Sequence, residues 1–184
     1  MNKTIMSKDA ILLKIREIVA RDGLNALSIR ALAKELGCSV GTIYYYFQSK
    51  DELITSAIES VWEDIFRIDE SMIYTSFTDY MKDIVFHILS GIKKYPNFFT
   101  LHSIMLQTDG KQKAKSSMAT YMSMLKERML EVLSRDEKLR SDAFTDEYSK
   151  EDFLSFIMSN IMSLIIDPSY SKDFFIKSLE RILY

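Results

Sequence analysis

A chain of 184 residues is long enough to bury one large core or two small ones. Its 47% hydrophobic and 27% charged residues suit an ordinary globular protein, and only five Gly and two Pro disfavour a turn-rich sheet protein, so the expected class is all-α. The net charge of −2 argues against nucleic acid for the chain as a whole, yet residues 1–50 hold eight Lys/Arg against four Asp/Glu, a balance of +4, and the remainder carries −6. This asymmetry suggests a basic head on an acidic body. A chance fluctuation in a short window is the other reading.

Ser7 precedes a segment with Ile11, Ile15, Ile18 and Val19 at the i, i+4, i+7, i+8 spacing of an amphipathic helix, which stops at Gly23 with Leu24 placed to close its end. Ser28 caps a second helix whose core face is Ile29, Leu32, Ala33 and Leu36, ended by Gly37. After the turn Gly37-Cys38-Ser39, a third short helix runs from Val40 to Phe47. Ser49-Lys50-Asp51-Glu52 is an S-x-x-E capping box that opens a fourth helix to about Phe66.

Two short helices joined by a Gly-containing turn have the helix-turn-helix arrangement, whose second helix enters the DNA major groove. At about 100° per residue, Val40, Ile43, Tyr44 and Phe47 share one side of the third helix, and Gly41, Thr42, Tyr45 and Tyr46 the other. Ile43 and Phe47 should anchor the helix. The opposite side carries hydroxyls and no bulky charge, which makes an odd solvent face and a sensible DNA face: hydroxyls donate to phosphates, and glycine lets the backbone come close.

At these residues the chain resembles the TetR family of bacterial transcriptional regulators. The family's pattern, Gly-x-Ser-x-Gly-Thr-Leu/Ile-Tyr-x-Tyr-Phe-x-x-Lys-x-x-Leu, stands here as Gly37-Cys38-Ser39-Val40-Gly41-Thr42-Ile43-Tyr44-Tyr45-Tyr46-Phe47-Gln48-Ser49-Lys50-Asp51-Glu52-Leu53, behind a second helix opening with Ser28. The likeness covers roughly residues 7–55. It implies phosphate contacts from Ser28, Thr42, Tyr44, Tyr45, Tyr46 and Lys50, base-edge contacts from Val40 and Gly41, and Arg30 as a reader or phosphate clamp. The Val40 position is often Lys or another polar residue in relatives. Valine cannot hydrogen-bond a base edge, so readout there is limited to apolar contact such as a thymine methyl. Tyr44 also has a reading as a core residue, and Lys50 as a solvated charge.

In the body, Thr78 is expected to cap a helix through Lys94, broken near Pro96. A second helix should run from Asn97 to Gln107 and a long one from Lys113 to Ser134, followed by a polar stretch, Arg135 to Lys150, that includes a loop. The segment Asp152 to Ile166 is apolar nearly all round, so most of it should be buried. After Pro168, Ser171 caps a last helix. The resemblance implies that these two helices pair with their copies in a homodimer through Phe153, Ile157, Ile161, Leu164, Phe175, Leu179 and Ile182; the alternative is a central core of the single chain. The expected domains are therefore a helix-turn-helix DNA-binding domain, 1–53, and a helical ligand-sensing and dimerisation domain, 54–184.

The body holds nine of the eleven Met, and Phe98, Phe99, Met105, Met118, Tyr121 and Met122 are candidates for a lipophilic ligand site. At helical spacing the same residues also suit ordinary core. His87 and His102 stand alone, without acidic or Cys partners at ligand spacing, so no metal and no cofactor is expected. A lone Cys38 forms no internal disulfide and suits a reducing cytoplasm. No uncharged stretch, the apolar Phe153 to Ile166 included, reaches the roughly 20 residues that span a bilayer, so no membrane partner is expected. No nucleotide-binding, metalloprotease or nucleophile-elbow motif is present, which leaves an enzyme improbable. The function expected is a ligand-responsive repressor that binds double-stranded DNA at a palindromic operator, or a DNA-binding regulator or architectural protein without a small-molecule ligand.

Overall fold

The computed structural model describes residues 6–66, 72–96, 98, 112–167 and 169–184, with the backbone alone for 112–118. Among these residues the protein is all-helical: α1 (Lys8–Asp22), α2 (Ile29–Glu35), α3 (Val40–Tyr46), α4 (Lys50–Ile65), α5 (Phe77–Lys94), α6 (Gln112–Arg135), α7 (Lys150–Ile166) and α8 (Lys172–Leu183). The contacts divide the chain into two compact units, one of residues 1–65 with 91–118 and one of residues 66–90 with 119–184. Pro168 and the helix expected over Asn97 to Gln107 lie largely outside the described residues.

The first unit follows its punctuation. Ser7 Oγ accepts the Ala10 amide at 3.1 Å, and Gly23, at φ +81°, ends α1 by donating its own amide to Val19 O. A positive φ is where glycine escapes the clash a Cβ would meet. Leu24 opens a short 3₁₀ turn, Leu24–Ala26, and Leu24 and Leu27 are both buried beneath it. Ser28 Oγ accepts the Ala31 amide and starts α2, which buries Ile29, Leu32 and Ala33. Gly37, at φ +62°, turns the chain toward α3. Glu52 deviates from the expected box: Ser49 Oγ does accept the Glu52 amide, but the Glu52 carboxylate reaches one residue further back, to the Gln48 amide at 2.8 Å. Trp62 and Ile65 of α4 are buried: Ile65 lies against Gly91, and Trp62 meets Phe98 edge to face with centroids 6.0 Å apart.

In the second unit α5 is capped by Ser76, not Thr78. Ser76 Oγ accepts the Asp79 amide at 3.1 Å, whereas Thr78 is 3% exposed and hydrogen-bonds Ser76. A cap must precede the first helical residue, and Phe77 already is one. Buried Asp136, just past α6, accepts the Phe77 amide at 2.8 Å, the Lys138 amide at 2.9 Å and the Tyr184 hydroxyl at 2.5 Å. One carboxylate thus joins the start of α5, the loop after α6 and the end of α8. Ser149 and Ser171 cap α7 and α8.

α7 is less buried than its composition suggests. Phe153, Leu154, Ile157, Ile161 and Leu164 face inward, while Phe156 is 51% and Ile166 68% exposed. Phe153 packs against Phe77, Phe144 and Tyr148 of the same chain.

Candidate nucleic-acid interface

Every helix of the interface owes its position to buried anchors on its other side. In α3 these are Ile43 and, just past its end, Phe47, both 0% exposed. The expected four-residue inner side is therefore only two residues wide. Val40 is 39% and Tyr44 49% exposed, so Tyr44 belongs to the surface and not to the core. Tyr45 stands furthest out, at 82%. A helix of seven residues buries only a narrow stripe, and the residues flanking it stay in water.

The hydroxyls of this surface differ in what they have left to donate. Ser28 Oγ accepts the Ala31 amide, a role that uses a lone pair and leaves its own proton free. Ser39 Oγ accepts the Thr42 amide at 3.1 Å and hydrogen-bonds Thr42 Oγ1 at 2.9 Å, so these two hydroxyls share one bond and retain one outward proton between them. Tyr46, half-buried, lies edge to face against Tyr45 with centroids 5.1 Å apart, and its hydroxyl donates to the Met6 carbonyl. Arg30 and Lys50 are exposed, on α2 and at the first turn of α4. At Gly41 an added Cβ would meet only Ser39 Oγ, at an ordinary 3.7 Å. The chain's own packing therefore does not require glycine there, although glycine inside a helix costs roughly 1 kcal/mol relative to alanine.

The first unit also holds a polar cluster that the sequence pattern did not mark. The Asp64 carboxylate of α4 accepts Lys94 Nζ at 2.6 Å and Tyr95 Oη at 2.6 Å, with Arg16 Nε of α1 at 3.9 Å. Arg16 also donates to the buried Ser60 hydroxyl at 2.8 Å. Burial pushes the Asp64 carboxyl up, but the hydrogen bonds from Lys94 and Tyr95 and the charges of Lys94 and Arg16 outweigh it and hold the group below its usual value. Its partners lie 30, 31 and 48 residues away in sequence, beyond any local signal.

The remaining candidates are scattered. Phe98 is buried in the first unit against Trp62 and Tyr95. Tyr121 and Met122 are half-buried on α6, in the second unit. Phe99, Met105 and the Met118 side chain lie outside the described residues. Phe153, Ile157, Ile161, Leu164, Phe175 and Leu179 are buried by their own chain, and only Ile182 keeps part of its surface. Among the described residues no three His, Cys, Asp or Glu side chains gather as metal ligands, and no helix is long and apolar enough to cross a membrane.

Residues 11–57 match the family model described as bacterial regulatory proteins, tetR family. An uncharacterized HTH-type transcriptional regulator of Haemophilus influenzae is 35% identical over 96 residues, which is 44% of this chain and 51% of that relative. An HTH-type transcriptional regulator of Saccharopolyspora erythraea is 29% identical over 63 residues, 34% of this chain and 27% of that one. The chain thus spans about half, or less, of the length of these curated relatives. Among solved structures, SCO7222, a TetR from Streptomyces coelicolor, superposes with a TM-score of 0.62 at 18% identity over 91% of this chain and 74% of that one. The multidrug binding protein EbrR, solved with ethidium, gives 0.61 at 15% identity over 95% and 96%. These likenesses carry the fold along nearly the whole chain, and the family match is confined to the helices at its head. Over residues 11–57 the chain is similar to the tetR family of bacterial regulatory proteins, and beyond them the likeness is one of fold.

Proposed function

We propose that this protein is a DNA-binding transcriptional regulator that acts as a homodimer, most simply a repressor released from a palindromic operator by a small molecule. The observation that carries the reading is the face of α3: Ile43 and Phe47 are fully buried, while Val40, Gly41, Tyr44 and Tyr45 are exposed and free to meet a duplex. Gly41 supports it, since a glycine that the chain's own packing does not need suits the close approach of a duplex. Ser28, Thr42, Tyr44, Tyr45 and Lys50 would meet phosphates, Val40 and Gly41 base edges, and Arg30 either. The division of labour would place DNA binding in 1–53 and sensing and dimerisation in 54–184, in a cytoplasmic protein.

Two recognition helices must lie about 34–36 Å apart to enter successive major grooves. A second copy would supply the other helix by packing against the outward faces of α7 and α8. Phe156, Ile166 and Phe174 are exposed there. Between them Ser155, Ser159, Ser163 and Ser178 donate to carbonyls of their own helices, four residues back, and Asn160 does the same with its amide. A face whose hydroxyls are satisfied internally loses little on dehydration. Because Phe153, Ile157, Ile161, Leu164, Phe175 and Leu179 are occupied by the chain's own core, Ile182 is the part of the expected set best placed to join them.

EbrR, which shares the fold, is described as a multidrug binding protein complexed with ethidium. A flat aromatic cation is therefore the first probe for the body, with Tyr121 and Met122 as candidate contacts. To release DNA it must favour the released state, and a hundredfold preference corresponds to about 2.7 kcal/mol. The test is fluorescence anisotropy on duplexes retained from a random pool, with and without ethidium. Lys50→Ala should weaken binding and reduce the salt slope by about one. Wild type that retains no duplex would end the regulator reading; binding that ethidium leaves unchanged would favour a regulator without such a ligand.

A further inference from the structure

We propose that Val40 selects a thymine in the operator by packing its methyl groups against the base's 5-methyl group, so that an apolar contact and not a hydrogen bond decides the base at that position. The inference rests on the DNA-binding reading above and names what that surface selects. The side chains that tell base pairs apart by paired hydrogen bonds are Arg or Lys for guanine, Asn or Gln for adenine, and Glu or Asp for cytosine. α3, Val40-Gly41-Thr42-Ile43-Tyr44-Tyr45-Tyr46, contains none of them. The residues that open a recognition helix are those that reach base edges. The hydroxyls there are bonded to each other: Ser39 Oγ accepts the Thr42 amide at 3.1 Å and shares a hydrogen bond of 2.9 Å with Thr42 Oγ1. One outward proton between two hydroxyls cannot make a paired contact.

What this turn offers instead is hydrocarbon. Val40 is 39% exposed, and the exposed Gly41 beside it has no side chain to hold a duplex away. A valine in a helix keeps essentially one rotamer, so its methyl groups form a fixed knob that loses little entropy on contact. In the major groove thymine is the base that carries a methyl group at C5. Valine and that methyl are matching apolar partners, and covering both is favourable in proportion to the area removed from water. Tyr44, four residues on and 49% exposed, lies on the same side of α3. Its hydroxyl on a phosphate would hold the helix in register without reading sequence, which leaves the choice of base in α3 to Val40. Arg30, exposed on α2, remains for another base or a phosphate.

The experiment takes a duplex that the wild-type protein retains from a random pool and replaces its thymines one at a time by deoxyuridine, which lacks only the methyl group. Fluorescence anisotropy should find a position where this weakens binding about 4-fold, the equivalent of one buried carbon group, and about 15-fold when both halves of a palindromic duplex are changed. Val40→Ala should bind the unmodified duplex about as weakly as wild type binds the doubly changed one. It should no longer distinguish the two, because both deletions remove the same contact. Val40 is exposed and alanine favours a helix, so the variant keeps the fold. At the same position 5-methylcytosine should bind about 4-fold better than cytosine, although the two share one hydrogen-bonding edge. A retained duplex in which no thymine methyl matters would overturn the proposal. So would a methyl effect that Val40→Ala leaves intact, or 5-methylcytosine that binds no better than cytosine, since DNA shape or another side chain would then do the reading. If the wild type retains no duplex at all, it is the regulator reading that fails, and this inference falls with it.

Discussion

Gly91→Ala sets two ordinary effects against each other at the point where α4 and α5 meet. Alanine is the better helix former by roughly 1 kcal/mol. At this position, however, its Cβ would fall 2.6 Å from Ile65 Cγ1, 3.0 Å from Cδ1 and 3.1 Å from Cγ2. Carbon atoms in contact rest about 3.5–4.0 Å apart, so Ile65 must turn or the helices must part by about 1 Å. Ile65 is 2% exposed and β-branched, which leaves it few rotamers in which to turn. Overpacking of this kind costs about 1–3 kcal/mol, more than the helix gains. The net loss should be about 1 kcal/mol, which for a chain of this size lowers Tm by roughly 2–4 °C in a thermal melt followed by circular dichroism. Ile65→Ala alone opens a cavity and should cost about 2–5 kcal/mol, but in the Gly91→Ala background the new methyl partly fills it. A Gly91→Ala variant that melts higher than wild type, with additive behaviour in the double variant, would show that the close approach at Gly91 has no energetic consequence.

Asp64→Asn should lower thermal stability at neutral pH and leave it nearly unchanged in acid. The folded-state value of Asp64 lies below the ordinary one, so its contribution is present above about pH 4 and is lost as pH falls through the folded value; melts from pH 7 to 3 should show the two curves converging. Ser39→Ala removes the cap of α3 and should cost about 1 kcal/mol, measured by urea unfolding, with a parallel loss of duplex affinity. Phe156→Asp with Phe174→Asp should shift sedimentation toward the monomer while leaving helix content intact, since both side chains are exposed in the single chain.

What was legible in the sequence was whatever depends on near neighbours. Ser7, Gly23, Ser28 and Gly37 bounded their helices as read, because a cap or a positive φ is decided within a few residues. The same locality explains the misplacement of the α5 cap by two residues: Ser76 and Thr78 are both competent, and only the position of Phe77 separates them. The all-α class also followed, from the scarcity of breakers. Side-chain partners did not follow, because Asp136 collects an amide 59 residues before it and a hydroxyl 48 residues after it. Burial on α7 was half legible. Composition says that the helix is apolar on every side, but only packing decides that Phe153 goes in and Phe156 stays out.

The same distinction applies to the hydroxyls on and around α3, where a pattern names the residues and geometry decides which protons remain. Tyr46 commits its proton to Met6, and Ser39 with Thr42 commits one of two. Ser28 keeps its own, since a cap only accepts. The Tyr45 hydroxyl makes no hydrogen bond among the described residues and is the most exposed of the set. Its removal is therefore the sharpest contrast to Tyr46→Phe. Tyr45→Phe should cost about 0.5–1.5 kcal/mol of duplex affinity, the usual net worth of one hydrogen bond, at an unchanged salt slope. Tyr46→Phe, which takes no free donor from that surface, should leave duplex affinity nearly unchanged. Two neighbouring tyrosines in one short helix would then differ in role, one free to donate to a duplex and one holding its own chain. Equal losses of duplex affinity in the two variants would remove that difference, and with it the reading of α3 as a helix with one tyrosine turned outward and one turned back on its own chain.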